Sequence, residues 1–209
     1  MAEELFWGTV CPILGVVVSN MQVIPPLNAA LICRKARSMG CLNATPWAMG
    51  FVNCCGWLLY GCMLGDHYIM MSVGPGVMIH YYAVTSACSL LGAQNIVLGW
   101  QCMYVALAFA IGTTLSQNYP LALMIVGGAT SMVFYWAPGS KLVKILRNKD
   151  ASSLYLPAIL VNLLCCLLWS FYGLFGINNV YLYAPMLFGL VVTLAQLALK
   201  AVYPSHSKS

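Results

Sequence analysis

A short series of motifs occurs twice in this chain, at a nearly constant shift. In each copy a proline is followed by a basic segment, a second proline and then the motif Trp-x-x-Tyr-Gly. The two tryptophans of that motif, Trp57 and Trp169, are 112 positions apart. Self-similarity at a fixed shift is typical of a duplicated structural unit. The sequence therefore predicts two related halves.

Seven apolar runs divide the chain, and each has roughly the length that a helix needs to cross a bilayer. About 20 residues, at a rise of 1.5 Å per residue, span ~30 Å of hydrocarbon. Only 6% of the residues are charged, whereas a soluble domain carries about 25% because its surface must meet water. We therefore predict an all-α integral membrane protein. The runs cover roughly residues 7–31, 46–64, 68–91, 95–115, 119–144, 156–176 and 180–203.

The basic residues lie in three places: between runs 1 and 2, between runs 5 and 6, and near the end of run 7. In a seven-helix chain these places share one side of the membrane, and the positive-inside rule puts that side in the cytosol. The opposite side carries Glu3, Glu4 and Asp66 and no basic residue. We therefore expect the N-terminus outside and the C-terminus in the cytosol. The nine basic residues are Arg34, Lys35, Arg37, Lys141, Lys144, Arg147, Lys149, Lys200 and Lys208.

The duplication and the topology together predict a transporter architecture. The first repeat covers runs 1–3 and the second covers runs 5–7, and both begin outside. Two parallel units need an odd number of helices between them, and run 4 supplies one. We predict two three-helix bundles joined by a linker helix, a 3+1+3 arrangement related by an axis along the membrane normal. The predicted boundaries are 1–93, 94–116 and 117–203, followed by a short cytosolic tail at 204–209.

Several function classes are not expected. No nucleophile elbow, phosphate loop or acid pair occurs in a plausible setting, so nothing indicates an enzyme. The net charge is +5, but the basic residues do not form one long patch, which argues against nucleic-acid binding. Most of the ten cysteines lie inside apolar runs, where cysteine behaves as a small hydrophobe. We therefore predict no metal site and no cofactor.

Three sets of residues are candidates for function, and each has a structural alternative. Trp57 and Trp169 either face a ligand from two sides or belong to an interfacial aromatic belt. Four paired prolines either act as hinges or adjust packing at helix starts. Polar residues within the runs either mark a pathway or hydrogen-bond between helices. The prolines are Pro26, Pro46, Pro138 and Pro157, and the polar residues are Asn28, Asn53, His80, Asn162 and Gln196.

The order of these motifs resembles the SWEET family of sugar facilitators, over nearly the whole chain. The resemblance implies a sugar bound between the two repeats near mid-membrane, energy-independent transport by alternating access, and homo-oligomers in a lipid bilayer. In the first repeat it runs through Arg37-Ser38, Pro46-Trp47, Asn53, Trp57-Leu-Leu-Tyr60-Gly61, Asp66 and Gly76. In the second it runs through 148–157, Trp169-Ser-Phe-Tyr172-Gly173, Pro185, Gly189 and Gln196.

The resemblance also implies roles for particular residues. Trp57 and Trp169 are expected to form walls of the substrate site. The small residue that the family has one helical turn before each tryptophan corresponds to Asn53 and Cys165. The four prolines correspond to the family's proline tetrad, which is expected to act as a set of hinges.

The sequence departs from the family pattern at two positions of the expected site. The pattern has asparagine three residues before the glycine in runs 3 and 7, whereas this chain has Val73 before Gly76 and Met186 before Gly189. A sugar hydroxyl that faces an apolar wall instead of a hydrogen-bond partner costs roughly 1–3 kcal/mol. Asn53, Asn162 or His80 replaces the lost amides, or the substrate is less polar than a sugar or simply a different compound.

Two other functions remain open from the sequence alone. A PQ-loop-type carrier of amino acids or other small solutes shares the 3+1+3 plan, although a proton-coupled carrier needs an intramembrane acid and none is found. A seven-helix receptor also has an external N-terminus, but the duplication and the short loops leave little signalling surface. We expect a sugar transporter of the plasma membrane, with an internal membrane as the alternative.

Overall fold

The computed structural model describes residues 2–40, 42–91, 128, 131, 135 and 142–203. All regular secondary structure within these ranges is helical, as the sequence predicts. Run 4, most of run 5 with Pro138, and the tail lie outside them, so the count of seven helices and the domain boundaries stay predictions. The helices are α1 (Ala2–Leu5), α2 (Cys11–Gln22), α3 (Ile24–Ala36), α4 (Thr45–Leu64), α5 (His67–Leu91), α6 (Leu156–Phe171) and α7 (Val180–Val202), with π-helical turns at Phe6–Val10 and Tyr172–Gly176.

Four helical stretches in the described part of the chain are long and apolar enough to cross a membrane. They correspond to runs 1, 2, 6 and 7 of the sequence. Helix α5 has 25 residues without a charged side chain, which is also enough to span the hydrocarbon. The four stretches are Glu3–Ala36, Thr45–Leu64, Leu156–Gly176 and Val180–Val202.

The basic segments of the two repeats end their helices in the same way. Arg37 and Lys149, 112 positions apart, both have left-handed backbones, with φ of 51° and 52°. Arg37 N donates to Cys33 O and Arg34 O just after α3, and Lys149 N donates to Ile145 O at 2.7 Å just after the helical residues 142–148. A left-handed residue after a helix lets such bonds satisfy its last carbonyls. The common geometry supports a duplicated unit.

The turns from α4 to α5 and from α6 to α7 close with the same backbone hydrogen bond. Asp66 N donates to Gly61 O at 2.9 Å, and Asn179 N donates to Gly173 O at 2.7 Å. The residue before the donor is left-handed in both turns, with φ of 66° at Gly65 and 48° at Asn178. The second turn is one residue longer than the first.

The additional residue of the second turn lies in a π-helical segment. Tyr172–Gly176 is closed by a hydrogen bond from Ile177 N to Tyr172 O at 3.0 Å, five residues apart. A π-turn contains one residue more than an α-turn. This turn therefore explains why the shift between the repeats is 112 at Trp57 and 113 at Asp66.

The glycine of each Trp-x-x-Tyr-Gly motif permits a close approach of two helices. A Cβ at Gly61 would lie 3.1 Å from the backbone nitrogen of Met70. A Cβ at Gly173 would lie 2.9 Å from Cβ of Tyr183. The α4–α5 and α6–α7 pairs are therefore each packed backbone against backbone near their connecting turn.

The chain forms two compact units. Unit 1 comprises Met1–Val18 and Ser131–Ser209, and unit 2 comprises Ser19–Thr130. The boundaries after Val18 and after Thr130 are 112 positions apart, which is the shift of the repeat. The core of unit 2 includes Ala30, Cys33, Met39, Trp47, Ala48, Ala83, Val84 and Ala87. A core cluster of unit 1 contains Ile145, Ala151, Leu154 and Ile159.

Candidate substrate site

The two motif tryptophans have matching surroundings, each within its own unit. Trp57 is 4% exposed, and its ring meets Tyr60 edge to face at 5.1 Å. Trp169 is 5% exposed and meets Tyr172 edge to face at 5.8 Å. The i, i+3 spacing on a helix brings these rings together. Rings of an aromatic belt lie at headgroup level against lipid, so this burial favours the inward-facing alternative.

The first membrane stretch covers the indole of Trp169. A Cβ at Gly15 would lie 3.1 Å from Cε2 and 3.3 Å from Cζ2 of that ring. The thiol of Cys11, one turn earlier, donates to Leu168 O at 3.2 Å. This contact between α2 and α6 has no counterpart in the sequence reasoning, which linked Trp169 only to the second repeat.

The two small residues of the expected site lie one helical turn before the tryptophans. Cys165 is buried, with 7% exposure, and Asn53 is half-buried. Residues four apart lie on the same helical face. Asn53 therefore shares a face of α4 with Trp57, and Cys165 shares a face of α6 with Trp169.

The two positions that lack the family's asparagine differ in their surroundings. Val73 is half-buried on α5. Met186 is buried on α7, and its sulfur accepts a hydrogen bond from the Tyr135 hydroxyl at 3.7 Å. The same hydroxyl lies 3.6 Å from the sulfur of Cys166. Tyr135 therefore places a polar group beside one of the missing amides.

Sequence reasoning missed Tyr135, although one signal for it was present. A Cβ at Gly189 would lie 2.6 Å from Cζ of Tyr135, so the glycine creates the space for the ring. In unit 2 the equivalent glycine, Gly76, has the Cys54 sulfur at 2.8 Å and Val23 Cγ1 at 3.5 Å from such an atom. The available sequence signal was that both repeats have this glycine, whereas the position of Val23 in the first repeat is Tyr135 in the second.

Three of the four paired prolines lie among the described residues, and each of the three is near the start of a helix. Pro46 and Pro157 are exposed in the first turns of α4 and α6, a position that tolerates proline. Pro26 is half-buried in the first turn of α3, just after the interruption at Val23 that separates α2 from α3. The hinge roles stay predictions, and Pro138 lies outside the described residues.

Two intramembrane polar residues occupy equivalent helix contacts in the two units. In unit 2 the buried imidazole of His80 fills the space left by Gly50, where a Cβ would lie 2.3 Å from Nε2. In unit 1 the Asn162 amide donates to Thr193 Oγ1 at 2.7 Å. Gly50 and Asn162 are 112 positions apart. The bond of Asn162 is of the interhelical kind that the sequence analysis gave as the structural alternative.

No group of three or more His, Cys, Asp or Glu side chains with metal-binding geometry occurs among the described residues. The other polar residues named from the sequence have different environments. Gln196 is buried on α7, at 8% exposure, whereas Asn28 is exposed on α3.

Comparison with protein families decides the relationship. The family described as "Sugar efflux transporter for intercellular exchange" matches residues 9–87 and again residues 121–208. The chain belongs to this family, the SWEET family. The resemblance in the motifs is therefore confirmed, and the two matches begin 112 positions apart. SWEET proteins are transporters and not enzymes, in agreement with the sequence analysis.

Individual SWEET relatives match most of the chain. "Sugar transporter SWEET1" of Drosophila pseudoobscura pseudoobscura is 28% identical over 196 residues, covering 88% of this chain and 85% of the relative. "Bidirectional sugar transporter SWEET4" of Oryza sativa subsp. indica is 26% identical over 214 residues, covering 93% of this chain and 80% of the relative.

A solved structure of a eukaryotic SWEET transporter has the same fold. It superposes with a TM-score of 0.87 at 18% sequence identity, covering 99% of this chain and all of the other. The helical fold and the apolar helices agree with a multi-pass membrane protein of this family.

Proposed function

We propose that this SWEET family member is a bidirectional, energy-independent sugar transporter that works by alternating access, with its substrate held between the two repeats. The observation that carries the proposal is the matched pair of buried indoles, Trp57 and Trp169, in equivalent helices of the two repeats. The family and the names of its relatives support sugar as the substrate class.

Each repeat has a polar side chain at or beside an expected site position, and these groups suit a sugar. An aromatic face packs against the C–H groups of a sugar ring. The hydroxyls of the sugar need hydrogen-bond partners, because burying them unpaired carries a desolvation cost. The amide of Asn53 in the first repeat and the hydroxyl of Tyr135 in the second are suitable partners. Sulfur is a weak acceptor, so the Tyr135 hydroxyl exchanges Met186 for a sugar oxygen at little cost. Tyr135 thereby substitutes for one of the missing asparagines.

The proposed transporter has a defined arrangement in the membrane. Seven helices form the 3+1+3 plan, with the N-terminus outside and the C-terminus in the cytosol. The four prolines act as hinges between the conformations, and the protein works as a homo-oligomer in the plasma membrane. The four apolar stretches and the equivalent turn geometries of the two repeats support the duplicated helical plan.

Uptake into liposomes tests the proposal. Purified protein is reconstituted without an ion gradient, and uptake of labelled glucose and sucrose is followed for the parent and for the double variant Trp57→Ala, Trp169→Ala. Trp7→Ala, which removes an indole from an aromatic cluster with Phe171 and Phe175, is the matched control. We expect uptake that equilibrates in the parent and the control and is abolished in the double variant.

Other results would point to a different function. Uptake of amino acids but not sugars, with a dependence on pH, would favour a PQ-loop-type carrier. Binding of a sugar without equilibration across the membrane would favour a receptor. Equal sugar uptake by the parent and the double variant would remove the paired tryptophans from the mechanism.

A further inference from the structure

We propose that Gly15 and Cys11, on α2, are positioning residues that hold the indole of Trp169 in its orientation for substrate binding. The proposal rests on the proposed function, because it takes Trp169 as a wall of the sugar site. It assigns part of the second repeat's binding wall to the first membrane stretch of the chain.

The indole of Trp169 lies close against the backbone of α2 at Gly15. A Cβ at Gly15 would lie 3.1, 3.3 and 3.4 Å from Cε2, Cζ2 and Nε1 of the indole. Glycine inside a helix is less stable than alanine. The space that Gly15 leaves for the ring offsets that cost, since any side chain there would press on the indole.

Cys11 fastens the backbone next to the same ring. It lies four residues before Gly15, so both residues are on one face of α2. Its thiol donates to Leu168 O at 3.2 Å, and its side chain is 1% exposed. The same carbonyl accepts from Tyr172 N in the continuation of α6. The peptide bond that precedes Trp169 is therefore held from two directions.

The contact of the first stretch continues toward the N-terminus. The ring of Trp7 lies 5.6 Å from that of Phe171 and 5.0 Å from that of Phe175. Gly8 directly follows Trp7, and a Cβ added at Gly8 would meet nothing within 4 Å. The same stretch thus contains one glycine that touches the candidate site and one that does not.

Glycine substitutions in the full chain test the proposal. We expect Gly15→Ala to raise the KM for labelled glucose roughly tenfold and Gly15→Val to raise it further, since small displacements of a binding group can cost up to a hundredfold. Cys11→Ala should raise the KM about threefold, the value of one hydrogen bond between membrane helices. The control Gly8→Ala should leave the KM unchanged. Alanine favours the helix in both glycine variants.

A second readout does not depend on sugar. The six tryptophans are labelled with 5-fluorotryptophan, and the ¹⁹F resonance of Trp169 is identified by its loss in Trp169→Phe. We expect Gly15→Ala to shift this resonance and Gly8→Ala to leave it in place.

The two readouts separate the possible failures. An unmoved Trp169 resonance in both Gly15 variants would overturn the positioning contact, whatever the protein transports. A shifted resonance with an unchanged glucose KM would overturn the role in substrate binding and leave a packing contact. If Gly15→Ala shifts the resonance but the parent takes up neither glucose nor sucrose, the proposed function is refuted, and the substrate part of this inference with it.

Discussion

The two repeats pack the same pair of helices with different side chains. In unit 2 a large side chain, His80, is accommodated because its neighbour Gly50 has none. In unit 1 two mid-sized polar residues, Asn162 and Thr193, meet through a hydrogen bond of 2.7 Å. The equivalent turn geometry is kept in both. The comparison teaches that the duplication preserves the volume between the helices and not its chemistry, as expected for a closely packed interior.

A second contact of the repeats follows the same rule. Val23 and Cys54 contact Gly76 in unit 2, whereas the Tyr135 ring contacts Gly189 in unit 1, and its hydroxyl lies 3.6 Å from the Cys166 sulfur. The glycine is retained, while the residue on the first helix of the repeat changes in size and polarity. Each repeat therefore brings different hydrogen-bonding groups to equivalent places.

The largest effect is expected when one repeat receives a side chain of the other. Gly50→Asn copies Asn162 into unit 2, where its Cβ would lie 2.3 Å from the His80 ring. Overpacking of a filled interior costs typically 1–3 kcal/mol, and we expect about 3 kcal/mol here. Thermal unfolding in detergent measures it. The double variant Gly50→Asn, His80→Thr should recover most of the loss.

The control for this substitution is Gly74→Asn, because a Cβ at Gly74 meets nothing within 4 Å. It should unfold near the parent temperature. Equal losses at Gly50 and Gly74 would mean that the His80 contact does not set the packing of α4 against α5.

The glycines of the second contact should differ in their sensitivity. Gly189→Ala brings a methyl group to 2.6 Å from the Tyr135 ring, and we expect a loss of about 2 kcal/mol. Gly76→Ala brings a methyl group to 2.8 Å from the Cys54 sulfur and to an ordinary contact distance of 3.5 Å from Val23 Cγ1, and it should lose about 1 kcal/mol. Adding Tyr135→Val should rescue Gly189→Ala. A denaturation curve that shows no rescue contradicts the proposed equivalence.

The turns after α4 and after the Tyr172–Gly176 π-turn offer a smaller comparison. Asp66 Oδ1 accepts from the backbone nitrogens of Tyr68 and Ile69, whereas Asn179 Oδ1 accepts from Tyr181 N. Loss of such a cap costs about 1 kcal/mol. We expect Asp66→Ala to destabilise more than Asn179→Ala. The reverse order in unfolding experiments would show that the number of accepted bonds does not decide the cap strength.

The smallest effect should come from the polar pair of unit 1. Asn162→Ala removes the bond to Thr193, but the hydroxyl of Thr193 still donates to Gly189 O at 2.7 Å. Hydrogen bonds between membrane helices are worth about 0.6 kcal/mol on average. A double-mutant cycle with Thr193→Val should give a coupling energy of that size. A coupling energy near zero would mean that the two side chains do not stabilise each other.

Features that are contained in one short stretch of the chain were predictable from the sequence. The apolar runs, the basic segments and the Trp-x-x-Tyr-Gly motif each reside within one helix or turn, and they led to the all-helical membrane fold class and to the family. The alternatives for Pro46 and Pro157 stayed open, because a first-turn proline has the same local sequence whether or not it also acts as a hinge.

Contacts between distant residues were not predictable in this way. Tyr135 meets Cys166 and Met186 across 31 and 51 positions, and the Cys11 thiol reaches Leu168 across 157. The hydrophobic periodicity of a single helix cannot predict which residues of distant helices contact each other. The glycines opposite them were the available signal, since Gly15 and Gly189 lie in apolar helices where alanine would be more stable.

The π-turn at Tyr172–Gly176 bears on how a duplicated membrane protein can diverge. An insertion inside an α-helix turns everything beyond it by about 100°, since 3.6 residues complete a turn. Such a rotation would carry the buried face of the following segment toward lipid. Because the additional residue widens one turn at the helix end, α7 retains its orientation relative to α6. This position thus tolerates a change in length, and descendants of the ancestral gene would be expected to differ in length here more often than at mid-helix.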